Sequence, residues 1–329
     1  MQTRSVRHCA VVVALGIAAA LLAAPAAAQQ TWKLASAVAP GDRQDVATQL
    51  FVDQVNKALA GRMTVQYYKA SQLGNERELT EGVKLGTIEL GMTSTSAMTT
   101  FVPELAFYDL PFLFRDKEHA RKVAMGPVGD KVLKTMEKAG IKGLATAESG
   151  FRLLLTNRVE VKHPNDMVGL KYRVIESPTH MAAFRALGAS AVPIPFGEVY
   201  GALQQKVVDG MDLPLGNISA AKLYEVVKNI SLTEHIYTPH VFIMNLNLFN
   251  SLSPADQKAL LDAAKAGSDL ERKLNDDLVP KWSAELQQKG MKIVPVADKR
   301  PFMDKMRPVW AQFERQIGKD VIEEAVNTK

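Results

Sequence analysis

Gly169-Leu170-Lys171-Tyr172-Arg173-Val174-Ile175-Glu176-Ser177-Pro178 is a short apolar run with a cation set inside it and a proline after it. Runs of this kind become buried strands. Arg152 sits 21 positions earlier in a second such run, Gly150-Phe151-Arg152-Leu153-Leu154-Leu155-Thr156-Asn157. A guanidinium in a buried strand is costly unless an anion meets it. Its planar fork matches a carboxylate through two parallel hydrogen bonds. At ~4 Å and an effective dielectric near 20, such a pair is worth about 4 kcal/mol before desolvation. The competing reading of Arg173 is a structural ion pair, for instance with Glu176. For Arg152 it is a solvated strand edge.

Outward from these runs, strand and helix alternate, which argues an α/β architecture. Residues 32–37, 63–68 and 89–92 read as strands. Residues 42–60 and 76–85 read as helices, and 117–139 as one helix closed by Gly140. A second half should begin near Gly150. In it 152–156, 171–174 and 211–213 read as strands, 179–187 and 197–206 as helices. The apolar segment 237–246 should return to the first half. Ser253-Pro254 is a good helix start, and a long helical stretch runs from 255 to about 289, bent at Pro280. A strand at 291–294 and a helix at 300–317 are expected to close the second half.

Residues 1–28 read as a secretory signal peptide. Arg4, Arg7 and His8 form a basic start, residues 10–24 are uninterruptedly apolar, and Ala26-Ala27-Ala28 is a cleavage site. Cleavage after Ala28 removes Cys9, so the exported chain has no cysteine and no thiol chemistry. It has 301 of the 329 residues, large for one core, so two lobes are expected. Removing Arg4 and Arg7 from the 40 basic residues leaves 38 against 35 acidic, a formal charge of +3. That balance argues against a nucleic-acid binder. It suits an anionic ligand without requiring one.

Several motifs recur in one order: Ser71-Gln72-Leu73-Gly74-Asn75-Glu76-Arg77, Leu85-Gly86-Thr87-Ile88-Glu89-Leu90, Val102-Pro103-Glu104-Leu105, Leu110-Pro111-Phe112-Leu113-Phe114, the Arg173 run, and Pro195-Phe196-Gly197-Glu198-Val199-Tyr200. Together they make the chain resemble the solute-binding proteins of the tripartite ATP-independent periplasmic (TRAP) transporters, in their C4-dicarboxylate-type (DctP) family. The resemblance implies a two-lobed periplasmic-binding-protein fold, with a ligand cleft between lobes and a long bridging helix. Residues 29–149 plus 238–276 would form lobe I, and 150–237 plus 277–329 lobe II. It implies a periplasmic receptor, expected as a monomer, that delivers an organic acid to a TRAP permease. No cofactor and no metal are expected.

The same resemblance makes Arg173 the carboxylate-binding residue and Arg152 its companion, with Phe196 packing on the ligand. The chain departs from the family at four places. Ile175 replaces a proline, and Leu213 replaces an asparagine that contacts the carboxylate or its neighbour. Ala37 and Ser94 stand where the sialic-acid branch carries Asn and Glu. A sugar acid would leave hydroxyls unpaired there, at about 1–3 kcal/mol each. The expected ligand is therefore a small monocarboxylate with an apolar or aromatic tail. Asn75, Thr95 and His180 could still supply hydrogen bonds.

Two rival functions remain open at this level. Ser219-Ala220-Ala221-Lys222 has the Ser-x-x-Lys spacing of serine acyl enzymes, but no companion motif accompanies it. No phosphate loop, dinucleotide fingerprint or His-Glu-x-x-His occurs. His235 and His240 are five apart and join no carboxylate cluster. A sensory co-receptor for the same acids would share every motif above.

Overall fold

The computed structural model describes residues 30–329. The expected signal peptide, with Cys9 and the cleavage point after Ala28, lies outside the described residues. The chain begins β1 (Gln30–Ser36), α1 (Arg43–Ala58), β2 (Met63–Tyr68), α2 (Glu76–Leu85) and β3 (Leu90–Ser94). Next come α3 (Lys117–Ala124), α4 (Pro127–Lys134) and β4 (Ile141–Phe151). A second group follows: β5 (Leu153–Thr156), β6 (Lys171–Val174), α5 (Pro178–Ala186), β7 (Ser190–Pro193), α6 (Val199–Gln204), β8 (Gly210–Leu213), α7 (Leu215–Ala220) and β9 (Asn229–Ser231). The chain then forms β10 (Tyr237–Asn245), α8 (Leu246–Ser251) and α9 (Pro254–Gln288). It closes with β11 (Lys292–Val294), α10 (Arg300–Met306), α11 (Trp310–Ile317) and α12 (Lys319–Asn327).

The strands form two sheets, β2-β1-β3-β10-β4 and β11-β9-β5-β8-β6-β7. In the first, β10 runs antiparallel between β3 and β4, while β1 is parallel to β2 and β3. Both faces of this sheet are covered, as the two-residue period of β10 shows. Val241 and Ile243 enter one apolar core, Phe242 and Met244 the other. The second sheet behaves alike: Tyr172 and Val174 enter one core, which turns Arg173 to the opposite face. Each sheet with its helices forms one half of the molecule. The chain crosses between them at Arg152, the single residue between β4 and β5, again between β9 and β10, along α9, and at Arg307–Val309 before α11.

Local chemistry sets the helix starts near the cleft. Asp42 caps α1 by accepting from the Gln44 amide. Asn75 and Glu78 form a capping box on α2, and Gly86, at φ 78°, ends it in the left-handed conformation. The 35-residue α9 spans both halves. Leu260, Ala263 and Ala264 lie in the first half's core and Leu286 in the second's. Gly267 lets α9 approach α1, since a Cβ there would lie 2.9 Å from the Ala47 carbonyl oxygen.

Three expectations about elements are corrected. The helix expected over 117–139 is broken at Met125-Gly126, where Pro127 starts a new helix, and it ends in a 3-10 turn at Thr135–Ala139. The helix expected over 300–317 is interrupted by the 3-10 turn Arg307–Val309, which holds Pro308. That segment was also expected to close the second half. Instead Phe313 and Ile317 of α11, with Ile322 and Ala325 of α12, enter the first half's core beside Phe107 and Val132. An amphipathic pattern fixes that a face is buried, not against what. The strand β4 escapes sequence reading because its glycines, alanines and serine give little β signal.

Candidate functional site

The C-terminal ends of β1, β3, β6 and β8 face one another across the gap between the sheets. Such crevices are where open α/β folds hold ligands. A cavity of about 40 Å³ lies there. Arg173, Arg152, Phe196, Leu213, Ser94 and Ala37 all line it. The structure thus brings together six of the seven residues singled out from sequence. Ile175 lines it as well.

Asn75 is the exception. Its side-chain oxygen accepts from the Arg77 and Glu78 amides, each at 3.0 Å, and is consumed in capping α2. Its neighbour Glu76 reaches the cavity instead. The Glu76 carboxylate accepts from the Ser94 amide at 2.8 Å and the Thr93 hydroxyl at 3.2 Å. Thr95 and His180 do not line the cavity either. Thr95 donates to the Pro239 carbonyl, and His180 lies 3.3 Å from Asp109. Sequence reasoning missed Gln44, Ser149, Asn217 and His240 on the wall. Only the Asn75-x-x-Glu78 capping pattern was a usable signal, because it fixes where α2 starts and hence where Glu76 lies.

The two arginines differ in kind. Arg152 is tied to Asp212: Nε donates to Asp212 Oδ2 at 2.5 Å and Nη2 to Oδ1 at 2.9 Å and to the Asp212 carbonyl at 2.6 Å. Its solvated-edge reading fails, since it is only 2 % exposed. Burial works against both charges, yet the pair wins. The Arg152 guanidinium is pushed up, and it holds the Asp212 carboxyl well below the usual carboxylate range. His235 Nε2 lies 3.2 Å from the same carboxylate, and Thr233 Oγ1 lies 2.9 Å from Nδ1. Burial pushes the His235 imidazole down despite Asp212.

Arg173 is 1 % exposed, and its Nε donates to the Ile194 carbonyl at 2.8 Å. Among the described residues its two terminal nitrogens have no hydrogen-bond or ion-pair partner, Glu176 included. Burial first, and then the charge of Arg152, push the guanidinium down to about 10. It stays charged at neutral pH on the wall of a cavity, and among the described residues no carboxylate is bonded to its terminal nitrogens. That is the arrangement a carboxylate ligand completes.

The remaining wall has two characters. Ala37, Ile175, Phe196 and Leu213 are apolar; Gln44, Glu76, Ser149 and Asn217 are polar. Ser219, by contrast, donates its hydroxyl to Glu285 at 3.1 Å. Among the described residues no group of three metal-ligating side chains occurs, and no helix is long and apolar enough to cross a membrane.

Comparison with known proteins agrees with this geometry. The family model described as "Bacterial extracellular solute-binding protein, family 7" (DctP) matches residues 34–316. A solute-binding protein of Verminephrobacter eiseniae is 44% identical over 301 residues, covering 92% of this chain and 90% of the relative. A crystal structure of a TRAP periplasmic solute-binding protein from Polaromonas sp. JS666, bound to D-erythronate, aligns with TM-score 0.88 at 36% identity, over 92% of this chain and 99% of that one. One from Bordetella bronchiseptica, with density interpreted as pantoate, aligns with TM-score 0.87 at 36% identity, over 92% of this chain and 100% of that one.

Proposed function

This chain belongs to family 7 of the bacterial extracellular solute-binding proteins, the DctP family, and we propose that the acid it captures is a compact monocarboxylate carrying at least one hydroxyl. It is a periplasmic TRAP solute-binding protein for organic acids, not an enzyme. Members of the family bind small organic acids and work with TRAP permeases.

The observation that carries the finer reading is Arg173. A buried guanidinium with two uncommitted terminal nitrogens takes the ligand carboxylate in a bidentate pair. Arg152, whose Nε and Nη2 are held by Asp212, adds positive potential beside it. Glu76 then selects the rest of the molecule. A second carboxylate beside it would be repelled, whereas a hydroxyl can donate to it. Ala37, Ile175, Phe196 and Leu213 supply the apolar side on which a short or branched carbon chain can lie. The apolar tail expected from sequence is therefore narrowed to a chain with one apolar and one hydroxylated edge. D-Erythronate and pantoate, the acids of the two neighbours, are natural first probes.

The test is a thermal-shift and calorimetric panel of D-erythronate, pantoate, phenylpyruvate, succinate and glucuronate. Pantoate, with a gem-dimethyl carbon and two hydroxyls, should bind at least tenfold more tightly than succinate; D-erythronate, hydroxylated at every carbon beyond the carboxylate, should bind less tightly than pantoate. Preferential binding of succinate would remove the role given to Glu76. A preference for phenylpyruvate would restore the aromatic tail. We also propose that the secreted protein begins at Gln29 and is a monomer. Intact mass and light scattering check these two points.

A further inference from the structure

Beside the ligand cavity one side chain ties the two halves together. Arg43, at the start of α1 in the first half, is 3 % exposed. Its Nη2 donates to the Ser149 carbonyl at 2.6 Å, and to Asn217 Oδ1 at 3.1 Å across in the second half. Its guanidinium carbon lies 5.4 Å from the ring centroid of Trp282 on α9, within cation–π range. Asp42 supports the contact from the same helix start. Its Oδ2 accepts from Asn217 Nδ2 at 3.1 Å and lies 3.5 Å from Arg43 Nη1, close enough for ion pairing without a hydrogen bond. The second half makes room for this. At Gly216 a Cβ would lie 2.4 Å from Arg43 Nη1 and 2.8 Å from the Trp282 ring.

The contact also lies between two spaces. Ser149 and Asn217 line the ligand cavity. Ser149, Gly216 and Trp282 line a second, larger cavity of about 590 Å³ between the halves. Arg43 packs against residues of both walls. The bond to Asn217 joins α1 of the first half to α7 of the second, so it depends on how the halves sit.

We propose that Arg43 is a positioning residue for ligand capture: it holds Ser149 and Asn217 on the cavity wall and seals that cavity from the larger cleft when the halves close. Opening the halves breaks its bond to Asn217 and its contact with Trp282. Removing its fork joins the two spaces, which gives the bound acid a route out. The effect belongs in the dissociation rate, because the seal forms after the acid has entered. The proposal rests on the organic-acid reading above.

Stopped-flow release of D-erythronate and of pantoate from wild type, Arg43→Gln and Arg43→Lys tests it. Arg43→Gln should release acid at least tenfold faster, with its association rate within about threefold of wild type. Arg43→Lys should not rescue, since one ammonium cannot serve Ser149, Asn217 and the Trp282 face together. Equal dissociation rates in wild type and Arg43→Gln overturn the proposal. Should Arg43→Gln not fold, Gly216→Ala carries the test by displacing the guanidinium tip; faster release supports the seal, and unchanged release overturns it. If wild type binds neither acid, the ligand reading fails by itself. The seal is then read without ligand, from the distance between spin labels at Leu85→Cys and Val168→Cys, both exposed positions in opposite halves. Arg43→Gln should broaden that distribution, and an unchanged one overturns the proposal.

Discussion

Arg173 sets a stability against a function. Its charge is buried on the cavity wall with one bond to a carbonyl, so Arg173→Met should raise the unfolding free energy of the unliganded protein by about 1–3 kcal/mol. The same variant should lose acid binding altogether. Arg173→Lys should bind at least tenfold more weakly, because a single ammonium lacks the fork. Urea denaturation and calorimetry read both; a methionine variant that is less stable, or a lysine variant with full affinity, contradicts this account. Asp212 shows the opposite balance. Asp212→Asn leaves Arg152 buried and unpaired, at a cost of about 3–5 kcal/mol. The pH dependence has a definite sign. Folding lowers the Asp212 carboxyl, so its contribution is complete above the unfolded value near 3.9 and is lost as pH falls below it. Folding also lowers His235, so the unfolded chain takes up that proton first and stability begins to fall below about pH 6.5. Denaturation from pH 8 to pH 3 should show both steps in wild type and only the upper one in Asp212→Asn. The run around Arg173 was legible because a cation inside an apolar strand is conspicuous locally. The commitment of Arg152 was not, since Asp212 lies 60 positions away and nothing in either run names the other.

At the scale of elements, the strands with regular alternation and the helices with capping residues could be read from sequence. Lys171–Val174 and Glu76–Leu85 are found where they were expected. The misreadings occur where a periodic pattern runs through a backbone break. In 117–139 the apolar spacing continues across Gly126-Pro127, yet the chain turns there. A Cβ at Gly126 would sit 2.2 Å from the Lys122 carbonyl oxygen, which is backbone and cannot simply swing aside. Gly126→Ala should therefore destabilise the protein by about 1–3 kcal/mol, where a helix-interior exchange would stabilise it. A chemical-denaturation midpoint equal to or above wild type would mean that the break is incidental.

For the whole molecule, two halves joined at Arg152, between β9 and β10 and at Arg307–Val309, with α9 lying across both, are expected to close by hinge motion. The ligand must bind the closed arrangement better than the open one for closure to follow. X-ray scattering on adding a bound acid should show a smaller radius of gyration, and an unchanged radius at saturation would leave capture without hinge motion. Length and strand–helix alternation made two halves legible. The partner of the last helices was not, and that partner matters beyond packing. The first half's sheet needs β10, and its core needs Phe313, Ile322 and Ala325. Arg115 reaches further still, donating to the carbonyls of Val326 and Thr328. The half that is synthesised first is thus the half that is finished last. A ribosome has to release almost the whole polypeptide before that half can lock, so its folding is completed after synthesis rather than during it.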